Sequence, residues 1–192
     1  LGKQPLANKY PRNNSEIKNE KLYEMIIFFC TECLSCKIDV DIPRDLFFQD
    51  YFYLSSVNKE LVKHFENLAS ELKDKKFVLD IGSNDGILLR PLKKHKVICL
   101  GVDPSENVGK IANSNGFTTL VSFFNDKCAK EIIKFGGKPD CIVASSVFTH
   151  LENPVKFIED VYHILDTDGT LIIEVEYLIN ILDQTQFERF YF

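Results

Sequence analysis

From residue 57 onward the chain alternates short apolar runs with longer segments of helical spacing, and this limits the fold more than any other feature. Val57 to Leu72 places Leu61, Phe65, Leu68 and Leu72 on one helical face. Phe77 to Ile81, Val97 to Val102, Cys141 to Ala144 and Leu171 to Val175 read as buried strands, with Thr118 to Val121 a further short one. Helices are expected near Gly86–Lys94, Asn107–Asn115, Asp126–Phe135 and Pro154–Leu165. Strands alternating with helices of this length build βαβ units, so the expected fold is α/β: a mostly parallel sheet with helices on both faces. Ligands of such sheets sit beyond the carboxyl ends of the strands, where the strand order switches. The turns after the strands are therefore the places to search.

Residues 1–56 have a different texture, with little periodicity, scattered Pro and Asn, and a cysteine cluster. They are expected to form a small module ahead of a core at 57–192. The total of 192 residues suits one ordinary domain with such an appendage. Lys plus Arg is 23 and Asp plus Glu is 28, a net charge of −5, and no long basic run is present. That balance argues against a general nucleic-acid binder. No apolar run approaches the ~20 residues of a membrane span, and no signal peptide is read at Leu1. A cytoplasmic, reducing setting without membrane or nucleic-acid partners is the expectation. Cys99, Cys128 and Cys141 sit in apolar or mixed stretches, as reduced core thiols do.

The strongest local signal is Val78-Leu79-Asp80-Ile81-Gly82-Ser83-Asn84-Asp85-Gly86, a strand that enters a turn with glycines four apart and then a helix. Gly82 permits a sharp turn and Gly86 a close approach. The G-x-G-x-x-G of dinucleotide sites is not present. An acid followed by G-x-x-x-G resembles instead the turn of S-adenosylmethionine-dependent methyltransferases, where a carboxylate faces the cationic amino-acid end of the ligand. The next strand ends in Asp103, 23 residues after Asp80, where a carboxylate can accept hydrogen bonds from both ribose hydroxyls. The alternative is a capping Asp and two turn glycines in a non-binding domain.

Further along, Ser145 and Ser146 end the strand that starts at Cys141, level with the expected ligand, and His150 lies just beyond. A histidine there reads either as catalytic or as a surface or capping residue. Phe123 and Phe124 read either as an adenine wall or as core packing.

With these motifs in place, the chain resembles the sugar C-methyltransferases that act on nucleotide-linked keto-deoxysugars. The likeness is spread over nearly the whole sequence. It includes Leu1 to Asn8, the cysteine pair, Tyr51-Phe52-Tyr53-Leu54-Ser55-Ser56, the Ser-Asn-Asp-Gly form of the glycine turn, Val147 to His150, Glu174 to Leu178 and Phe187 to Phe192. The resemblance implies a Rossmann-like class I methyltransferase core preceded by a zinc-type module. It also implies S-adenosylmethionine as cofactor, held by Asp80, Gly82, Asn84, Gly86, Asp103, Phe124 and Ser145. A nucleotide-sugar acceptor would be surrounded by Tyr53, His150 and Tyr191. Methylating carbon needs a carbanion equivalent, and a keto group beside the target carbon permits an enolate, given a base and donors for the oxyanion.

Cys30-Thr31-Glu32-Cys33 would supply two of the four thiolates of a structural zinc. The other reading is a loop of reduced thiols. Two departures stand out: Ser146 occupies a position where the family often has Asn, and the sequence stops at Phe192, where the family continues with a Glu-His pair. The chain is therefore expected to be a fragment, with its proton-abstracting base beyond Phe192.

Overall fold

Short exposed strands make up most of the regular structure at the amino end of the computed structural model, which describes residues 2–7, 10–38, 42, 46, 48 and 51–186. Strand β1 (Gly2–Gln4) pairs antiparallel with β2 (Tyr23–Met25), and β3 (Ile27–Phe29) pairs with β4 (Cys36–Ile38). Helix α1 (Asn14–Lys18) starts at Asn13, whose side chain accepts from the N–H groups of Ser15 and Glu16. Leu6, Met25 and Ile42 form a small apolar cluster with Tyr23 and Ile38 at its edge. This segment belongs to a unit made of Leu1–Tyr53 and Tyr177–Phe192; a second unit is Leu54–Glu176. The larger unit thus takes in Leu54, Ser55 and Ser56, which the sequence reading grouped with the first module. Backbone N–H groups of Ser55 and Ser56 donate to side chains of the glycine turn, which ties them to the core.

In the larger unit, helix α2 (Lys59–Glu71) is capped by Asn58, which accepts from the N–H groups of Glu60 and Leu61. There follow β5 (Phe77–Ile81), α3 (Leu89–Lys94), β6 (Ile98–Asp103), α4 (Glu106–Ser114), β7 (Thr119–Val121), α5 (Asp126–Gly136), β8 (Cys141–Ser145), α6 (Pro154–Ile164) and β9 (Thr170–Glu174). In the smaller unit, α7 spans Leu178–Asp183. Asn125 and Asn153 cap α5 and α6, and Pro154 pre-sets the first turn of α6. The five strands are all parallel in the order β7-β6-β5-β8-β9, so the order reverses beside β5.

Alternation along the strands separates two cores. Phe77, Leu79 and Ile81 point to the face covered by Ile132 of α5 and by Phe157 and Val161 of α6. Val78 and Val143 point to the other face, covered by Phe65 and Ala69 of α2 and Leu92 of α3. Cys128 and Cys141 are buried and Cys99 half-buried, and burial pushes all three thiols up to about 11. The helix expected from Gly86 begins only at Leu89, because Asn84 (φ 47°) and Gly86 (φ 85°) hold the preceding turn in left-handed conformations that an α-helix does not admit. Among the described residues, no helix is long and apolar enough to cross a membrane.

Candidate active site

The turn after β5 is fastened from several sides. Gly82 lies at φ 78°, where a side chain is strained, and its N–H donates to the Val102 carbonyl at 2.7 Å. A Cβ there would fall 2.3 Å from Val147 Cγ2, so this glycine is required by space as well as by conformation. The Asn84 N–H donates to Asp103 Oδ2 at 2.9 Å, and Asn84 Oδ1 accepts from the N–H groups of Ser55 (3.0 Å) and Asp85 (2.9 Å). Asp85 Oδ2 accepts from both the N–H and the hydroxyl of Ser56.

Asp103 is 6% exposed, and its other oxygen accepts from the Ser105 N–H at 2.9 Å. Two backbone donors use about half of a carboxylate's acceptor sites. Burial raises its pKa against the opposing pull of these hydrogen bonds. Asp80 is 3% exposed, and its carboxyl is pushed up to about 7, first by burial and then by the negative charges of Asp103 and Glu174. Nothing of opposite charge offsets this among the described residues.

Strand register explains why these acids act together. Asp80 lies beside Gly101 on β6 and Val143 on β8, and Val143 lies beside Ile172 on β9. Two residues further along each neighbouring strand, on the same face, stand Asp103, Ser145 and Glu174. The Ser145 hydroxyl donates to Glu174 Oε2, and Glu174 Oε1 lies 2.7 Å from His64 Nε2 on α2. Glu174 and His64 went unrecognised in the sequence, being 110 positions apart with no local motif; an acid closing the apolar run Leu171-Ile172-Ile173 was the available signal.

Asp80, Gly82, Asn84, Gly86, Asp103 and Ser145 are thus brought together at the carboxyl edge of the sheet. Phe124 is half-buried and packs edge-on to Phe157, with ring centroids 5.5 Å apart, as part of the α5–α6 core. His150 sits in a 3₁₀ turn, Phe148–His150. Its side chain reaches the surface, yet partial burial of the ring pushes its pKa below the ordinary value, with Glu176 pulling the other way. Tyr53 belongs to the other unit, and Tyr191 lies outside the described residues. Cys30 and Cys33 are exposed on the turn between β3 and β4. The Cys33 thiol is lowered to about 7, chiefly by hydrogen bonding with Ser35 and also with Cys30. Among the described residues, no cluster of three or more His, Cys, Asp or Glu is placed to hold a metal, so a complete zinc site does not fit within them.

A parallel sheet with an acid–glycine turn at its switch point, and a second carboxylate closing the next strand, defines a nucleoside-binding α/β domain. Its uncompensated carboxylates and the acceptor capacity left on Asp103 fit a nucleoside that carries positive charge. The methyltransferase domain family matches residues 53–191. The chain belongs to that family.

Among curated relatives, C-methyltransferase NovU of Streptomyces niveus is 26% identical over the whole of this chain and 47% of its own length. A ubiquinone biosynthesis O-methyltransferase of Azorhizobium caulinodans is 28% identical over 62% of this chain and 49% of its own length. The chain therefore spans about half the length of these relatives. Among solved structures, the plantazolicin methyltransferase BpumL in complex with SAH has a TM-score of 0.51 at 19% identity, covering 65% of this chain and 50% of its own. A SAM-dependent methyltransferase of Thermotoga maritima has a TM-score of 0.50 at 22% identity, covering 68% and 60%. At these identities the structures share the fold.

Proposed function

We propose that the protein methylates a carbon of a nucleotide-diphosphate keto-deoxysugar through an enolate. The observation that carries this reading is the likeness to a C-methyltransferase over the whole chain, whereas the O-methyltransferase relatives match only 62% and 50% of it. The motifs shared with the sugar C-methyltransferases, above all Tyr51 to Ser56 and the Ser-Asn-Asp-Gly turn, supply the acceptor class.

Bound S-adenosylmethionine supplies an electrophilic methyl group. This chain would hold it with Asp80 and the Gly82–Gly86 turn at its amino-acid end and Asp103 at its ribose, with Ser145 beside it. Phe124 is the candidate for the adenine wall. Tyr53, His150 and Tyr191 would line the sugar. A neutral imidazole suits proton movement beside a keto group, and partial burial shifts His150 toward that form. A base would take the α-proton and the electron pair would pass to the carbonyl oxygen; the residues around the acceptor would hold the enolate carbon in line with the methyl–sulfur bond, whose electron pair would stay on sulfur as the neutral thioether. Cys30 and Cys33 would give two thiolates of a zinc site whose other ligands lie elsewhere.

The test is incubation of the full-length protein with a nucleotide-linked keto-deoxysugar and S-adenosylhomocysteine in deuterated water. Deuterium entering the carbon beside the keto group, and methylation of that carbon when S-adenosylmethionine replaces the product, is the expected result. Methylation of a hydroxyl without deuterium uptake would establish O-methylation, the second reading that the ubiquinone-pathway relatives favour.

A further inference from the structure

Among the acids at the carboxyl edge, Glu174 has no part in holding the turn. It closes β9, in register with Ser145 on β8 and on the same face as Asp80 and Asp103. Ser145 holds one carboxylate oxygen and His64 the other, so the group is fixed in position by two separate elements. Its charge reaches Asp80.

Methyl transfer changes the charge of the cofactor. S-adenosylmethionine carries a sulfonium, an ammonium and a carboxylate, net +1, whereas the product S-adenosylhomocysteine has a neutral thioether in place of the sulfonium. A fixed negative charge near the site therefore acts on the two ligands unequally. Taking the cofactor assignment above as given, we propose that Glu174 is a specificity-determining residue that favours cationic S-adenosylmethionine over its neutral product. His64 Nε2 lies 2.7 Å from Glu174 Oε1, so a permanent cation placed at this position would offset the Glu174 field at the ligand. Loss of the sulfonium charge on methyl transfer then weakens the hold on the product and assists its release.

The experiment is calorimetric titration of the full-length protein with each ligand at about pH 8, above the ordinary histidine range. The native protein is compared with Glu174→Gln, which keeps the size and shape of the side chain without the charge, and with Glu174→Asp, which keeps the charge. A third variant, His64→Lys, sets a permanent cation beside the carboxylate at a half-exposed position. At the effective dielectric of a partly buried site, one unit charge several ångströms away changes a binding ratio by about threefold to tenfold. The preference for S-adenosylmethionine should fall by that factor in Glu174→Gln and in His64→Lys, and persist in Glu174→Asp, with affinity for the product little changed. Binding of both ligands with an unchanged ratio in Glu174→Gln and His64→Lys would overturn the proposal. If Glu174→Gln does not fold, His64→Lys decides. Failure of the folded native protein to bind either ligand would instead overturn the cofactor assignment, a separate outcome.

Discussion

Asp80 shows how one buried side chain can cost stability. Its carboxyl sits at about 7 instead of 3.8, because burial and the charges of Asp103 and Glu174 all oppose ionisation. Between those two values the folded protein holds a proton that the unfolded chain has released. Stability of the ligand-free protein is therefore intact below the lower value and is lost as pH rises through the upper one. A cationic ligand reverses the preference, since it favours the ionised form. Asp80→Asn removes the titration while keeping the shape. The ligand-free variant should melt at a higher temperature than the native protein at neutral pH, with a flatter dependence between pH 3.8 and about 7. It should also bind S-adenosylmethionine more weakly. Melting curves across that range check the first expectation and calorimetry the second; parallel pH dependences in the two proteins would show that Asp80 is not the titrating group.

At the scale of the element, the strand–turn–helix at β5 depends on one residue without a side chain. Alanine at position 82 would meet two costs: the left-handed φ of 78°, and a Cβ placed 2.3 Å from Val147 Cγ2. The first is worth roughly 1–2 kcal/mol and overpacking of this kind roughly 1–3 kcal/mol. Gly82→Ala should lower stability by about 2–5 kcal/mol in denaturant titrations, and the displaced turn should lose cofactor affinity. A native-like denaturation midpoint would mean that Val147 yields freely. The sequence made this element legible because its signals are local. A fully buried strand is a continuous apolar run, and the turn announces itself by glycine spacing and an acid before it. The same locality explains β6, β8 and the half-buried edge strand β9, each read to within a residue or so. Strands β1, β2 and β4 gave no such signal, being three residues long, whereas β3 lies in the apolar run Met25 to Cys30, which the sequence reading passed over because the segment around it has little periodicity. At the site, Asp80 and Asp103 were visible as strand ends. The Ser145–Glu174–His64 chain was not, since it exists only once β9 and α2 have been brought to one edge of the sheet.

For the whole molecule, the residues proposed for the cofactor lie on one stretch of chain, whereas those proposed for the acceptor are divided. Asp80, the glycine turn, Asp103, Ser145, Glu174 and His64 all lie within Leu54–Glu176, which has both apolar cores of the sheet and its own helix caps. Tyr53, proposed for the acceptor, belongs to the other unit, while His150 lies within this one. A domain with its own core can fold alone, and fold does not fix which substrate it serves. A chain cut to residues 54–176 should therefore unfold cooperatively and bind S-adenosylhomocysteine as the intact chain does, with binding lost on Asp103→Ala. It should not incorporate deuterium into a nucleotide-linked keto-deoxysugar, because Tyr53 and Tyr191, two of the three groups proposed for the acceptor, have been removed and His150 alone is kept. Calorimetry and exchange measured on the same preparation separate the two halves of this expectation. Binding without exchange assigns acceptor chemistry to residues outside 54–176. Exchange by the shortened chain would move that chemistry onto His150 and the carboxyl edge alone.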